Sequence, residues 1–349
     1  MKKLIGILLL PVLAMGQKNE SRLLDQYMQA QASVKQFSGT VLVIRHDHVL
    51  LKAAYGLADR EWNVANTVQT KFRIGSITKQ FTAACILQLV EQGKLNLDDR
   101  LSKFIPGFPK GDSVSIDMLL NHTSGIPSYT SQPDFGKYSR LSLSKDSMIS
   151  YFKNRPYDFP PGTKFQYDNS GYFLLGYIIE KVSGESYESY LRGHILDVLG
   201  MKNTGADRLD SILPWRARGY TRNHQQFFNA PYISMDWPFS AGELYSTVED
   251  LYTWDRSLYG NRVLTAASRE KMFRPGKGNY GYGVFIDSVE KHFRISHGGS
   301  IPGFVSKIDR YVNDDICIII LSNDEAATDF ISLALADILF GIPVEVAYQ

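Results

Sequence analysis

From Ser76 to Gln92 the chain carries Ile77, Phe81, Ala84, Ile86, Leu87, Leu89 and Val90, which put apolar groups on every side of a helix. Gly93 follows as the residue that ends it. A helix without a polar face has no side to turn to water. The spacing therefore predicts a central helix with other elements packed around it.

The rest of the chain is suited to enclosing such an element. Its 349 residues are 44% hydrophobic and 21% charged, with 28 Gly and 14 Pro scattered throughout. That composition excludes disorder, collagen-like repeats and an extended coiled coil, and the length suggests about two domains. There are 38 basic and 36 acidic side chains, and without Lys2 and Lys3 the two signs balance. No electrostatic footprint for nucleic acid or an anionic membrane remains.

Residues 1–16 combine Lys2 and Lys3, an apolar run from Leu4 to Ala14, and the small pair Ala14 and Gly16. This is the pattern of a signal peptide, so an exported chain, periplasmic or secreted, is expected. The run ends at Gln17 to Arg22, short of the ~20 apolar residues a membrane span requires. Cys85 and Cys317 both sit in apolar stretches and read as buried free thiols. His46 and His48 flank Asp47 in a hairpin turn without zinc-ligand spacing, and no metal or cofactor is expected.

After the leader, a helix over Leu23 to Val34 and strands over Gly39 to Ile44 and Val49 to Gly56 begin the chain α-β-β. Near the other end, strands over Tyr282 to Ile286, His292 to Ser296, Phe304 to Tyr311 and Asp315 to Leu321 precede a helix over Ala326 to Phe340. Between them, helices alternate with long loops and no strand series is visible; one helix follows Tyr167-Asp168-Asn169, and another starts at Thr247 with Asp250 as a capping-box acid. The expected fold is α/β (α+β). An antiparallel sheet from 17–72 plus 270–349, covered by the terminal helices, would hold an inserted, mostly helical domain at 73–269, with the active site between them.

Ser-x-x-Lys places a hydroxyl and an amine on one helix face, where a buried Lys is able to take the hydroxyl proton. The pattern occurs at Ser76/Lys79, Ser142/Lys145, Ser150/Lys153, Ser268/Lys271 and Ser288/Lys291, so by itself it selects none. Only Ser76 follows a Gly and opens the apolar helix, which sets its hydroxyl at a positive helix end and buries its base. Tyr-x-Asn likewise recurs, at Tyr167/Asn169, Tyr259/Asn261 and Tyr311/Asn313; only the first lies in a corner between Pro160-Pro161-Gly162-Thr163 and a helix. His297-Gly298-Gly299 ends an expected strand, and its plainer reading is a turn that lets the strand bend.

In this order, Gly75-Ser76-Ile77-Thr78-Lys79, Tyr167-Asp168-Asn169 and His297-Gly298-Gly299 resemble the three motifs of the serine β-lactamase and DD-peptidase superfamily. The chain is most similar to its class C β-lactamase-related branch of esterases and carboxypeptidases. Asn121-His122-Thr123-Ser124-Gly125, Pro161-Gly162-Thr163 and Gly242 to Thr247 support the resemblance, which runs from about Gly39 to Phe340. It implies an acyl-enzyme on Ser76, with Lys79 and Tyr167 moving protons, Asn169 orienting substrate, and the backbone N–H groups of Ser76 and Ser300 forming the oxyanion hole. His297, Gly298 and Gly299 would bind substrate.

At that third motif similar β-lactamases carry Lys, then Thr or Ser, then Gly. His297 and Gly298 lack the fixed cation and the hydroxyl that hold a substrate carboxylate. The expectation is a serine hydrolase of a small-molecule or peptide ester or amide. The alternatives are a DD-carboxypeptidase or weak β-lactamase, and a non-catalytic penicillin-binding-like module. Oligomeric state is not legible.

Overall fold

A computed structural model describes residues 7–9, 17–34, 36–223 and 226–347. The expected leader lies outside them except for Ile7–Leu9, a short strand antiparallel to Glu345–Ala347. The principal elements are α1 (Gln17–Ser33), β1 (Gly39–Arg45), β2 (His48–Tyr55), α2 (Thr78–Glu91), α3 (Asn169–Ser183), α4 (Val248–Ser257), β3 (Phe285–Val289), β4 (His292–Ile301), β5 (Phe304–Tyr311), β6 (Ile316–Ser322) and α5 (Thr328–Phe340). One antiparallel sheet runs β3-β4-β5-β6-β1-β2. The α-β-β start and the β-β-β-β-α finish thus close on each other through the β6–β1 pair.

Strand β6 explains how one sheet serves two layers. Every residue of Ile316–Ser322 is buried, and successive side chains alternate between faces. Ile318 and Ile320 pack with Leu24 and Met28 of α1 and Ile331 and Leu335 of α5. Cys317, Ile319 and Leu321 face the larger core, with Phe81, Leu87 and Trp254. A strand covered on both sides needs no polar alternation, which is why it reads as an unbroken apolar run. Cys85 and Cys317 are free and buried, and burial pushes both thiols up.

Helix α2 sits in that larger core, buried from Thr78 through Leu87 and again at Leu89. Phe81 stacks on Trp254 at 4.3 Å, and the indole N–H donates to Gln80 Oε1 at 3.0 Å. Its end follows the glycine rule: Gly93 has φ 68° and Lys94 N–H returns to Leu89 O at 3.0 Å. No helix among the described residues is long and apolar enough to cross a membrane.

Two expectations change in the middle of the chain. It does contain strands: a hairpin pairs Tyr220–Asn223 with Gln226–Asn229, and a ribbon joins Phe72–Arg73, Leu244–Ser246 and Gly205–Ala206. Such short pieces leave no two-residue period to detect. At α4, Thr247 caps as expected by accepting from Asp250 N–H at 3.3 Å, but the Asp250 carboxylate turns to Asn203 N–H and Thr204 Oγ1, both at 2.8 Å. The acid ties down a neighbouring loop instead of closing a capping box.

Candidate active site

Ser76 lies in a 3-10 turn, Gly75–Ile77, that leads into α2. Gly75 is there for a steric reason: its φ is 49°, and a Cβ would sit 2.8 Å from Ser300 N. The missing side chain therefore brings the Ser76 turn against the end of β4. Gly299 makes the companion contact, since a Cβ on it would fall 1.9 Å from Ile74 O. Ser306 Oγ donates to the same carbonyl at 2.8 Å and fixes the approach.

Lys79 is fully buried one helical turn from Ser76. Its Nζ is 3.0 Å from Ser76 Oγ, 2.8 Å from Asn169 Oδ1 and 2.8 Å from Ala241 O. The two carbonyl oxygens only accept, so each takes an N–H. In the neutral amine those are the two hydrogens it has, and the lone pair is left for the Ser76 hydroxyl. Burial draws the ammonium down to about 7, with the Asp168 carboxylate opposing. The amine is therefore available as a base near neutral pH.

Asn169 divides its amide between two tasks, accepting from Lys79 and donating through Nδ2 to Thr130 Oγ1 at 3.0 Å. The Tyr167 ring lies 4.9 Å from Lys79 Nζ. Its hydroxyl is buried, with no hydrogen-bond partner within 3.5 Å among the described residues. Burial raises the phenol well above its ordinary range, and only the nearby Ser76 hydroxyl works the other way. The neutral phenol is thus able to give a proton, and the Lys79 amine is able to take one.

A cleft of about 140 Å³ opens beside Ser76, bounded on its polar side by Asn169, Thr130 and Ser300. Its apolar walls are Tyr129, Phe135, Ile233, Trp237, Ile301 and Pro302. No charged side chain among the described residues lines it. His297, expected to bind substrate, is instead buried: Nε2 pairs with Tyr280 Oη at 3.1 Å and Nδ1 donates to Gly298 O at 2.5 Å. Burial and the Lys79 charge hold it neutral, down to about 3. Gly298 faces Lys307, its partner across β4–β5, but that ammonium is committed to Asp329 at 2.6 Å. None of His297, Gly298 and Gly299 lines the cleft; the residues that follow them, Ser300, Ile301 and Pro302, do.

The family model described as Beta-lactamase matches residues 21–340. The chain belongs to the Beta-lactamase family. Penicillin-binding protein 4* of Bacillus subtilis (strain 168) is 31% identical, over 95% of this chain and 78% of its own. The curated relatives it matches are longer, and the chain spans 59% to 78% of their length. Among solved structures, a penicillin-binding protein from Bacillus halodurans superposes with TM-score 0.81 at 28% identity, covering 89% of this chain and 98% of that one. A D-stereospecific amidohydrolase from Streptomyces sp. shares the fold, with TM-score 0.79 and 24% identity over 91% of this chain and 98% of its own. This Beta-lactamase family member thus has the family's mixed fold and its hydrolase relatives.

Three groups at its site carried little or no signal as site residues. Asp168 caps α3 by accepting from Ser170 N–H at 2.7 Å and Gly171 N–H at 2.9 Å, and burial raises its carboxyl to about 7. His122 accepts from Asp168 N–H through Nδ1 at 3.1 Å and packs under the Tyr167 ring, centroids 4.4 Å apart. Burial and the Lys79 charge hold its pKa well below the usual histidine range. The Asn121 to Gly125 segment flagged its neighbourhood but not its position. Tyr280, which holds His297, stood in no motif. Among the described residues no cluster of three or more His, Cys, Asp or Glu is arranged to hold a metal ion.

Proposed function

We propose that this chain is a serine hydrolase that cleaves an ester or amide, uncharged and largely apolar around its scissile carbonyl, through an acyl-enzyme on Ser76. The observation that carries this is the Lys79 amine, buried with a pKa near 7 and 3.0 Å from Ser76 Oγ. The Ser76 proton moves to Lys79 as Oγ attacks the carbonyl. The oxyanion forms between the N–H groups of Ser76 and Ser300, which the Gly75 contact supports. Tyr167 gives its proton to the leaving group and recovers one from Lys79. In deacylation, water attacks the ester carbonyl, its proton passes back by the same groups, and Ser76 leaves as the hydroxyl.

The cleft's uncharged walls disfavour a carboxylate close to the scissile bond, as the substrates of a DD-carboxypeptidase or β-lactamase carry. The test is fluorophosphonate labelling followed by peptide mass spectrometry and turnover of an ester panel. A single adduct on Ser76 with ester turnover is expected. An adduct on Ser142, Ser150, Ser268 or Ser288 overturns the assignment, and labelling without turnover of any ester or amide identifies a non-catalytic module.

A further inference from the structure

A second cavity, of about 320 Å³, adjoins the cleft and shares Ile233 and Pro302 with it. Its lining differs in kind: Arg73, Arg216 and Arg218 with Asn229, and no acid among the described residues. A buried carboxylate behind them, Asp207, serves two of the three. Its Oδ2 accepts from Arg73 Nε at 2.6 Å and its Oδ1 from Arg216 Nη1 at 2.7 Å. Two guanidiniums on one carboxylate leave a net positive charge, in a half-buried setting where screening by water is reduced. Arg218 reaches out of the cavity to Glu61 and Asp59.

The backbone builds this cavity onto the end of β4. Lys71 N–H donates to Trp215 O at 2.8 Å and Ala217 N–H to Lys71 O at 3.0 Å, which aligns the Arg73 and Arg216 segments. Gly303, at φ 79°, packs on Gly219 so closely that a Cβ on Gly303 would meet Gly219 backbone at 2.7 Å. That contact holds the arginine segment against the turn that follows Ser300, Ile301 and Pro302.

Direction follows from the same strand. Tyr167, the leaving-group acid, lies by His297 with ring centroids 6.0 Å apart, at the early end of the motif. The acyl side of a substrate held at Ser300 therefore runs the other way, past Ile301 at the strand's end to Pro302 in the turn, ~7 Å for two residues of extended rise. We infer that the arginine cavity is an acyl-side subsite for an anionic group, so that the preferred substrates carry a carboxylate several bonds beyond the scissile carbonyl. The charge is read in the second cavity while the carbonyl and its first carbons stay in the neutral cleft.

This rests on the Ser76 hydrolase reading, and the test separates the two. The probes are mono-p-nitrophenyl adipate and suberate, compared with p-nitrophenyl hexanoate and octanoate of matched chain length. The expected kcat/KM ratio of carboxylated to neutral ester exceeds one by roughly tenfold, the effect of one charge-assisted hydrogen bond, and falls as salt rises. Arg216→Gln, which leaves the Arg73–Asp207 pair in place, should reduce the ratio by roughly tenfold, and Arg218→Gln by less. Taking a ratio cancels any general loss of active enzyme. A wild-type ratio of one or below, or a ratio indifferent to Arg216→Gln and to salt, overturns the subsite while leaving the hydrolase intact. If neither ester class is turned over and Ser76 takes no fluorophosphonate, the hydrolase reading falls and the subsite with it.

Discussion

The burial of Lys79 has a consequence for stability that is measurable without any substrate. Folding draws its pKa from 10.5 down to about 7. Below the folded value both states hold the proton, and the full penalty of burying the group is present. Between the folded and unfolded values the unfolded chain holds a proton that the folded chain has released, so stability rises with pH. From pH 7 to pH 9 the gain is about 2 kcal/mol. Asp168 works in the opposite direction and in a lower window, because its folded pKa is raised from 3.8 to about 7 and its contribution falls only across that range. Lys79→Met removes the titration. It also strips Asn169 Oδ1 and Ala241 O of their donor, a loss that does not vary with pH over this window and cancels in the comparison. Urea unfolding of both proteins at pH 7, 8 and 9 should therefore show the wild type gaining on the variant by about 2 kcal/mol. The same proton should appear in catalysis, as a rise of kcat/KM for a neutral aryl ester through a pKa of about 7. Parallel stability curves, or a rate that climbs only in the ordinary lysine range, would refute the buried-base argument.

Other substitutions probe the rest of the site. Tyr167→Phe should lower turnover by roughly 10² or more. Thermal melting should change little, because the ring contacts with His122 and His297 survive the substitution; a near-wild-type rate would move the proton relay elsewhere. Gly299→Ala should destabilise the fold and depress activity, since its Cβ falls 1.9 Å from Ile74 O, whereas Gly298→Ala meets nothing nearer than 3.5 Å and should fold normally. Melting both variants side by side checks this, and equal losses would contradict the packing. Finally, neutral short-chain aryl esters should give a higher kcat/KM than a chromogenic cephalosporin. A wild-type preference for the cephalosporin would show that a cation outside the cleft lining reaches its carboxylate.

Much of this protein is written locally. The i, i+3 spacing of Ser76 and Lys79, the Thr247 cap before α4, the glycine after α2 and the apolar run of β6 each depend on a few neighbouring residues, and each is legible as a pattern. Even the order of elements at the two ends dictates that the sheet closes between them. What makes Lys79 a base is not local. It requires a buried environment assembled from distant helices, and two acceptors, one of which is the backbone carbonyl of Ala241, a group that any residue would supply and no sequence pattern can mark. His122 and Tyr280 escape for a related reason, since their roles come from stacking and from hydrogen bonds to residues 46 and 17 positions away. The third motif gives the converse case: as sequence, His297 takes the place of a carboxylate-binding Lys, yet the fold turns it inward to Tyr280. The charge instead collects on Arg73, Arg216 and Arg218, brought together because Gly219 and Gly303 let two backbones touch. Side-chain identity and short spacing belong to the sequence, but burial and the convergence of remote segments are sums over the whole chain, and only the tertiary structure evaluates them.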